Sequence, residues 1–156
     1  MKGRIKRLCA VAIVTAAGFA TLTTLVDAAT DPITVRREAM KENGKAVKAI
    51  NEILKADGPV ADIAPHAAKI NETAQKAADL FPAGSDQPQG KDPGETMAKA
   101  EIWQDPDDFA EKVKAFQDEA AMFNTAVAGG DIAVIKAEFE KLGGTCGGCH
   151  KTYRAK

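Results

Sequence analysis

The sequence predicts an all-α protein that folds as an antiparallel four-helix bundle. Four segments between residues 31 and 153 carry apolar residues at spacings of three and four, which is the period of one helix face. No segment of useful length alternates apolar and polar residues, so we expect no sheet. The stripes are heptad-like, which favours bundle packing with helices crossing near +20°.

The first 28 residues have the three parts of a secretory signal peptide. A basic start with Lys2, Arg4, Lys6 and Arg7 precedes an apolar run over residues 8–20, and the sequence VDA at 26–28 resembles an Ala-x-Ala cleavage site. A membrane anchor is less favoured, because polar residues shorten the run below the roughly 20 residues that a span needs. We predict cleavage after Ala28 and a single helical domain over residues 29–156.

The charge and cysteine content of the mature chain exclude two classes of protein. Removal of four basic residues and Asp27 leaves 17 Lys and Arg against 21 Asp and Glu, a net charge of −4. No Lys/Arg cluster suggests a nucleic-acid partner. Cys9 leaves with the signal, and the two remaining cysteines are only three residues apart. One bridge between them would constrain nothing distant, so the chain is not a disulfide scaffold.

The first two helices are bounded by proline and glycine signals. Asp31-Pro32 predicts the start of the first, because aspartate caps a helix and proline suits its first turn. Asp57-Gly58-Pro59 predicts its end. We expect the second helix to begin near Pro65. The predicted inner stripes are Ile33, Met40, Val47, Ile50 and Leu54 in the first helix, and Ile63, Ala67, Ile70, Ala74, Ala77 and Phe81 in the second.

The last two helices have the same kind of boundary. Asp105-Pro106 opens the third helix, and Gly129-Gly130-Asp131 closes it and caps the fourth. Their stripes are Phe109, Val113, Phe116, Ala120, Phe123 and Val127, then Ile135, Phe139, Leu142, Cys146, Cys149 and Tyr153. Between the second and third helices, residues 82–94 read as a loop and residues 95–103 as a short helical turn. A connection this long needs a reason, and the simplest is that it covers one end of the bundle.

The C-terminal sequence CGGCH, at residues 146–150, predicts the chemistry. Cys146 and Cys149 continue the inner stripe of the fourth helix, and His150, four residues after Cys146 and next to Cys149, is expected on the same side. Cys-x-x-Cys-His is the attachment pattern of a c-type haem: two thioethers hold the porphyrin edge, and the histidine ligates iron. The two glycines between the cysteines leave room for a flat macrocycle. The sequence therefore predicts one covalent haem c per chain.

Three other uses of the same residues are less favoured. A thioredoxin-like redox pair belongs beside a βαβ unit, which the sequence lacks. A zinc site needs four ligands, and the fourth would be His66 on a different helix. A pair of merely buried cysteines would not need the adjacent histidine.

The mature chain resembles the cytochrome c′ family in KLGGTCGGCHKTYR, in LFPAG after the second helix and in AEIWQDPDDF entering the third. That family comprises exported four-helix bundles with one haem near the C-terminus. The resemblance implies thioethers on Cys146 and Cys149 and iron ligation by His150. It also implies that Arg154 lies near the proximal haem face and Arg36 near the haem propionates.

The sixth iron position divides this family into two branches. High-spin members leave the iron five-coordinate behind an apolar residue and bind small gases, whereas a low-spin branch supplies a first-helix methionine and carries electrons. The matching residue is Met40, in AMKENG, and Gly44 one turn later would leave room for the macrocycle. Met97, Met122 and His66 are weaker candidates. Met40 is also a normal core residue, since methionine fills gaps in cores.

These observations predict a periplasmic electron carrier with His150 and Met40 as iron ligands and redox proteins as partners. The alternative is a five-coordinate protein that binds nitric oxide or carbon monoxide. We expect no enzymatic activity, because peroxidase chemistry needs a distal acid–base group that the sequence does not clearly offer. The resemblance also implies a possible homodimer through the first two helices.

Overall fold

A computed structural model of the chain describes residues 31–86 and 96–155, and in these ranges it has five α-helices. They are α1 (Pro32–Lys55), α2 (Val60–Gln75), α3 (Glu101–Gln104), α4 (Pro106–Gly129) and α5 (Ile132–Tyr153), with a 3-10 turn, Ala78–Leu80, after α2. The four long helices confirm the predicted bundle. The predicted signal peptide and residues 87–95 of the predicted loop and turn lie outside the described residues.

The described ranges contain neither a sheet nor a helix suited to span a membrane. The β pairing found there is one isolated bridge between Ala98 and Arg154, which confirms the expectation of no sheet for this part of the chain. None of the helices in these ranges combines the length and apolar character that a bilayer span requires.

The predicted aspartate caps are confirmed. Asp31, Asp105 and Asp131 accept hydrogen bonds from backbone N–H groups in the first turns of α1, α4 and α5. These bonds satisfy donors that a helix start leaves without intrahelical partners. Gly130 ends α4 in the left-handed conformation, with φ at 77°. Local sequence alone therefore accounts for where α4 ends and where α5 begins.

The predicted start of α2 near Pro65 is wrong by five residues. The helix begins at Val60, directly after Pro59, and Pro65 lies inside it. Proline disfavours the preceding turn, because it lacks an N–H and its ring crowds the carbonyl four residues back. The added turn carries Ile63, which is 0% exposed. Burial of Ile63 in the core is the gain that outweighs this local cost.

The helices enclose one main core and a smaller cluster at the end of α5. The main core consists of Ala46, Ile50, Leu54, Ile63, Ala67, Ile70, Ala74, Ala120, Phe123, Val127, Ile135 and Leu142. The second cluster, called the terminal cluster below, consists of Ala77, Ala98, Ile102, Phe109, Val113 and Tyr153, with Phe81, Trp103, Phe116 and Cys149 packed against it. The predicted stripes therefore supply most of both clusters.

The long helices pack closely in the order α1–α2, α2–α4 and α4–α5. The helices α1 and α5 are both fully described, and their backbones do not form a comparably close pair. Both helices still contribute residues to the main core, among them Ile50 of α1 and Ile135 of α5. The side of the bundle between α1 and α5 is therefore the one that backbone packing leaves widest.

Alanine is expected to change the free energy of unfolding differently at the two glycines that end α4. Gly130→Ala forces a side chain into the left-handed region and should lower the free energy of unfolding by about 1 kcal/mol. Gly129→Ala, the matched control, has helical backbone and open space around a new Cβ, so stability should be unchanged or slightly higher. Urea unfolding of both variants measures the difference. Equal losses would contradict the strain argument.

Candidate haem site

The two thiols of the motif lie one turn apart on α5. Cys146 and Cys149 are free, half-buried and three residues apart, so they share one side of the helix. Burial raises the pKa of both thiols, and for Cys149 the nearby Cys146 adds to the effect. Cys149 packs against the terminal cluster. The predicted inward direction of both cysteines is thus consistent with their partial burial.

His150 is exposed, whereas the sequence predicts it on the same side as the half-buried cysteines. Partial burial lowers the pKa of His150, and the positive charge of Arg154 lowers it further. Both effects favour the neutral imidazole, which is the form that ligates a metal. Arg154 follows His150 by one turn, and its backbone N–H donates to the His150 carbonyl oxygen at 3.2 Å. The predicted place of Arg154 near the proximal haem face stays a prediction.

A bare helix surface flanks the thiols. Apart from the helix's own backbone and the chain neighbours, no atom of the described residues lies within 4 Å of a Cβ built at any of the four glycines in this part of α5; they are Gly143, Gly144, Gly147 and Gly148. All four are exposed. Packing within the chain therefore gives no reason for glycine at these positions. A flat group lying against the backbone would give one, as the sequence predicted for the pair between the cysteines.

The last turn of α5 is held from two directions. The segment 96–99, called the strap below, pairs with it: the Lys99 N–H donates to the Tyr153 carbonyl at 3.0 Å, and the Ala155 N–H donates to the Met97 carbonyl at 2.8 Å. On the α4 side, the Tyr153 hydroxyl donates to the Asp108 carboxylate at 2.5 Å. The turn that bears the motif is thereby fixed at a defined place in the bundle. Sequence reasoning missed the strap.

Arg36 is buried among protein acceptors. Its side chain lies on the inner side of α1 and donates to the Leu80 carbonyl, to both oxygens of Ser85 and to the Thr96 hydroxyl. The predicted contact of Arg36 with a haem propionate stays a prediction. The signal for its burial was present in the sequence, since a charged residue three positions after Ile33 falls on an apolar stripe.

Met40 lies at the level of the motif. At one end of the pair of helices, Lys136 of α5 meets Asp57 beyond α1 at 3.4 Å, so α1 and α5 run antiparallel. At the other end, Arg36 binds the strap that pairs with the last turn of α5. A helix rises 1.5 Å per residue, so Met40 lies about 6 Å beyond Arg36 along α1.

By the same rise, His150 lies about 6 Å before Arg154 along α5. Because the helices are antiparallel, Met40 and His150 are displaced in the same direction from the strap. Met40 is half-buried and belongs to neither apolar cluster. Three residues later, Asn43 Oδ1 is buried and lacks a hydrogen-bond partner in the described part of the chain. A bound group or water beside Met40 could supply that partner.

The weaker sequence candidates lie elsewhere or have other contacts. Met122 is 48% exposed on α4, and the Met97 sulfur accepts a hydrogen bond from Arg154 at 3.3 Å. His66 is half-buried within α2. Within residues 31–86 and 96–155, no three His, Cys, Asp or Glu side chains converge as a metal site, so the zinc alternative gains no support there.

Comparison with known proteins decides the family. The family model described as Cytochrome C′ matches residues 31–154. The chain belongs to the cytochrome c′ family. It is 37% identical over 150 residues to the cytochrome c′ of Rhodospirillum rubrum, covering 92% of this chain and 97% of that protein.

Two further relatives of this cytochrome c′ family member are informative. A cytochrome c-554 of Cereibacter sphaeroides is 41% identical over 78 residues, which cover 50% of this chain and 48% of that protein. A solved cytochrome c′ described as having an unusual ligand-controlled dimer dissociation superimposes with a TM-score of 0.74 at 26% identity, covering 83% of this chain and all of that chain.

As a cytochrome c′ family member, the chain is a c-type haem protein that binds one haem c covalently. The residues present fit that group. Two half-buried thiols share one side of α5, an imidazole follows them, and glycine leaves the neighbouring surface bare.

Covalent attachment of haem to the two cysteines predicts the mass of one tryptic peptide. Trypsin cleaves after Lys141 and Lys151, so the peptide 142–151 of the purified holoprotein should carry the added mass of one haem. Replacement of either cysteine by Ala should leave at most one thioether, and the double replacement should remove the haem-bearing peptide. Extraction of the haem from wild-type protein into acidified organic solvent would contradict the assignment.

Proposed function

We propose that this cytochrome c′ family member carries electrons, with thioethers on Cys146 and Cys149, His150 as the proximal iron ligand and Met40 as the sixth ligand. The position of Met40 is the observation that carries the proposal. It is half-buried on α1, about 6 Å along the helix from Arg36, which binds the strap that pairs with the end of α5.

The chemistry of methionine supports this role for Met40. Its thioether is a soft ligand, and Met/His is an established axial pair that raises the haem potential. A methionine that served only as core filler would be expected within an apolar cluster, and Met40 belongs to neither cluster. Three residues further along α1, Asn43 Oδ1 is a buried acceptor without a hydrogen-bond partner among the described residues.

A haem iron held by two protein ligands exchanges one electron with little rearrangement. The chain keeps water from one side of the site through the terminal cluster, on which Cys149 packs. The strap and Asp108 hold the turn that presents His150. Arg154, one turn away, is proposed as a haem neighbour whose positive charge favours the reduced state.

Gas binding is the second candidate, and one relative favours it. The solved cytochrome c′ with a TM-score of 0.74 has a dimer whose dissociation is controlled by a ligand. If this chain works in the same way, Met40 blocks the distal face rather than ligating iron, and a homodimer through α1 and α2 becomes relevant. The partners are then small gas molecules instead of redox proteins.

Replacement of Met40 separates the two functions. If its sulfur ligates iron, ferric wild type should be mainly low-spin by electron paramagnetic resonance, and carbon monoxide should bind the ferrous protein slowly because the thioether must leave first. Met40→Ala should become high-spin, bind carbon monoxide faster and have a lower reduction potential. The matched control is Met122→Ala, which alters an exposed methionine and should change none of these.

A high-spin ferric wild type would overturn the electron-carrier proposal and favour gas binding. In that case Met40→Ala should accelerate carbon monoxide binding without a change of spin state. The fold should survive under either account, because truncation of a fully buried methionine costs about 2–5 kcal/mol and the half-buried Met40 should cost less.

We also propose that the protein is exported to the periplasm. The predicted signal peptide supports this, because cysteine-attached haem is typical of exported cytochromes. Expression of the full chain in a Gram-negative host should yield a soluble periplasmic protein whose N-terminal residue is Ala29. Recovery of residues 1–28 on a membrane-bound holoprotein would contradict export with cleavage.

A further inference from the structure

Arg36 joins both ends of the connection between α2 and α4. One terminal nitrogen donates to the Leu80 carbonyl at 3.1 Å and to Ser85 Oγ at 2.7 Å. The other donates to the Ser85 carbonyl at 2.6 Å and to Thr96 Oγ1 at 2.7 Å. The guanidinium also lies 4.9 Å from the centre of the Phe81 ring. Residues from either side of the undescribed stretch 87–95 therefore meet on one side chain.

Arg36 and the two hydroxyl residues that it contacts are all buried. Arg36 is 3% exposed, Ser85 2% and Thr96 1%. A buried charge is tolerated only when it is fully hydrogen-bonded, so removal of any partner leaves an expensive unsatisfied group. The hydroxyls are further engaged, since Ser85 donates to the Pro82 carbonyl and Thr96 accepts from the Ala98 N–H. These constraints leave the guanidinium a single well-defined position.

The same strap reaches the motif. Thr96 begins it, and Met97 and Lys99 pair with the last turn of α5. Arg36 and Met40 are four residues apart on α1 and so lie on the same face. A continuous series of direct contacts therefore runs from the α1 face that carries Met40 to the α5 turn that follows His150.

We propose that Arg36 is a positioning residue: by clamping the strap to α1, it sets the height of Met40 relative to His150. The inference rests on the proposed Met40 ligation and explains the contacts of Arg36 with Ser85 and Thr96 as a brace between the two helices that hold the axial ligands. It differs from the predicted propionate contact, since four N–H groups of Arg36 already bind protein acceptors.

Two substitutions at different places on the clamp test this. Arg36→Lys keeps the positive charge. The lysine has a single side-chain nitrogen, which cannot reproduce the hydrogen bonds made by the two terminal nitrogens of Arg36. Thr96→Val removes the strap's hydroxyl without changing any charge. Both should raise the high-spin fraction of the ferric holoprotein, speed carbon monoxide association at least tenfold and speed amide exchange at Lys99 and Ala155 at least tenfold.

The control is Leu54→Ala, which truncates a buried residue about 21 Å further along α1 than Met40. It should lower stability and leave the spin state, the carbon monoxide rate and these two amides unchanged. If Leu54→Ala shifts the spin state as much as the clamp variants do, general destabilisation explains the effect and the proposal is overturned.

The remaining outcomes separate the two proposals. A spectral change in Arg36→Lys with none in Thr96→Val indicates a direct haem contact of Arg36 and overturns the clamp. Low-spin wild type with both variants equally low-spin overturns the positioning role alone. High-spin wild type overturns the proposed electron-carrier function and this inference together. Should Arg36→Lys fail to fold, Thr96→Val decides between these outcomes.

Discussion

The burial of one guanidinium organises the haem end of this bundle. Arg36 donates to acceptors in the 3-10 turn after α2, in the following loop and in the strap, which lie 44 to 60 residues away in sequence. Without those bonds, a charge on the inner face of α1 would oppose packing. With them, α1, Leu80, Ser85 and the strap occupy one arrangement. The close backbone packing of the long helices constrains α1 and α5 least, so this polar link matters most between them.

The glycine-rich end of α5 is the second constraint. It depends on the first, because the strap that Arg36 binds also holds the last turn of α5. Each of its four glycines disfavours helix by roughly 1 kcal/mol relative to Ala. The helix nevertheless continues to Tyr153. The strap bonds its last turn, and the Tyr153 hydroxyl reaches Asp108. Contacts with the strap and Asp108 thus stabilise a stretch of helix whose glycines suit packing against a flat macrocycle better than helix formation.

Local sequence predicted the bundle well, because caps and stripes are local features. The aspartate caps and the left-handed Gly130 determine where three of the long helices begin or end. The start of α2 was missed because the burial of Ile63 outweighs the local preference of Pro65. The Arg36 contacts and the strap join residues far apart in sequence, and no periodic pattern encodes them. The apolar pattern of the sequence likewise does not decide whether Met40 binds iron or fills space, since both roles require an inward methionine.

The central claim is that α1 and α5 present Met40 and His150 to opposite faces of one haem. The mature chain would have three methionines, at 40, 97 and 122, so methyl labelling of methionine gives three NMR signals. In the ferrous holoprotein, a methyl directly over the macrocycle is shifted strongly upfield by the ring current. The account predicts this shift for Met40 and ordinary positions for Met97 and Met122. Three methyl signals in the ordinary range would contradict it.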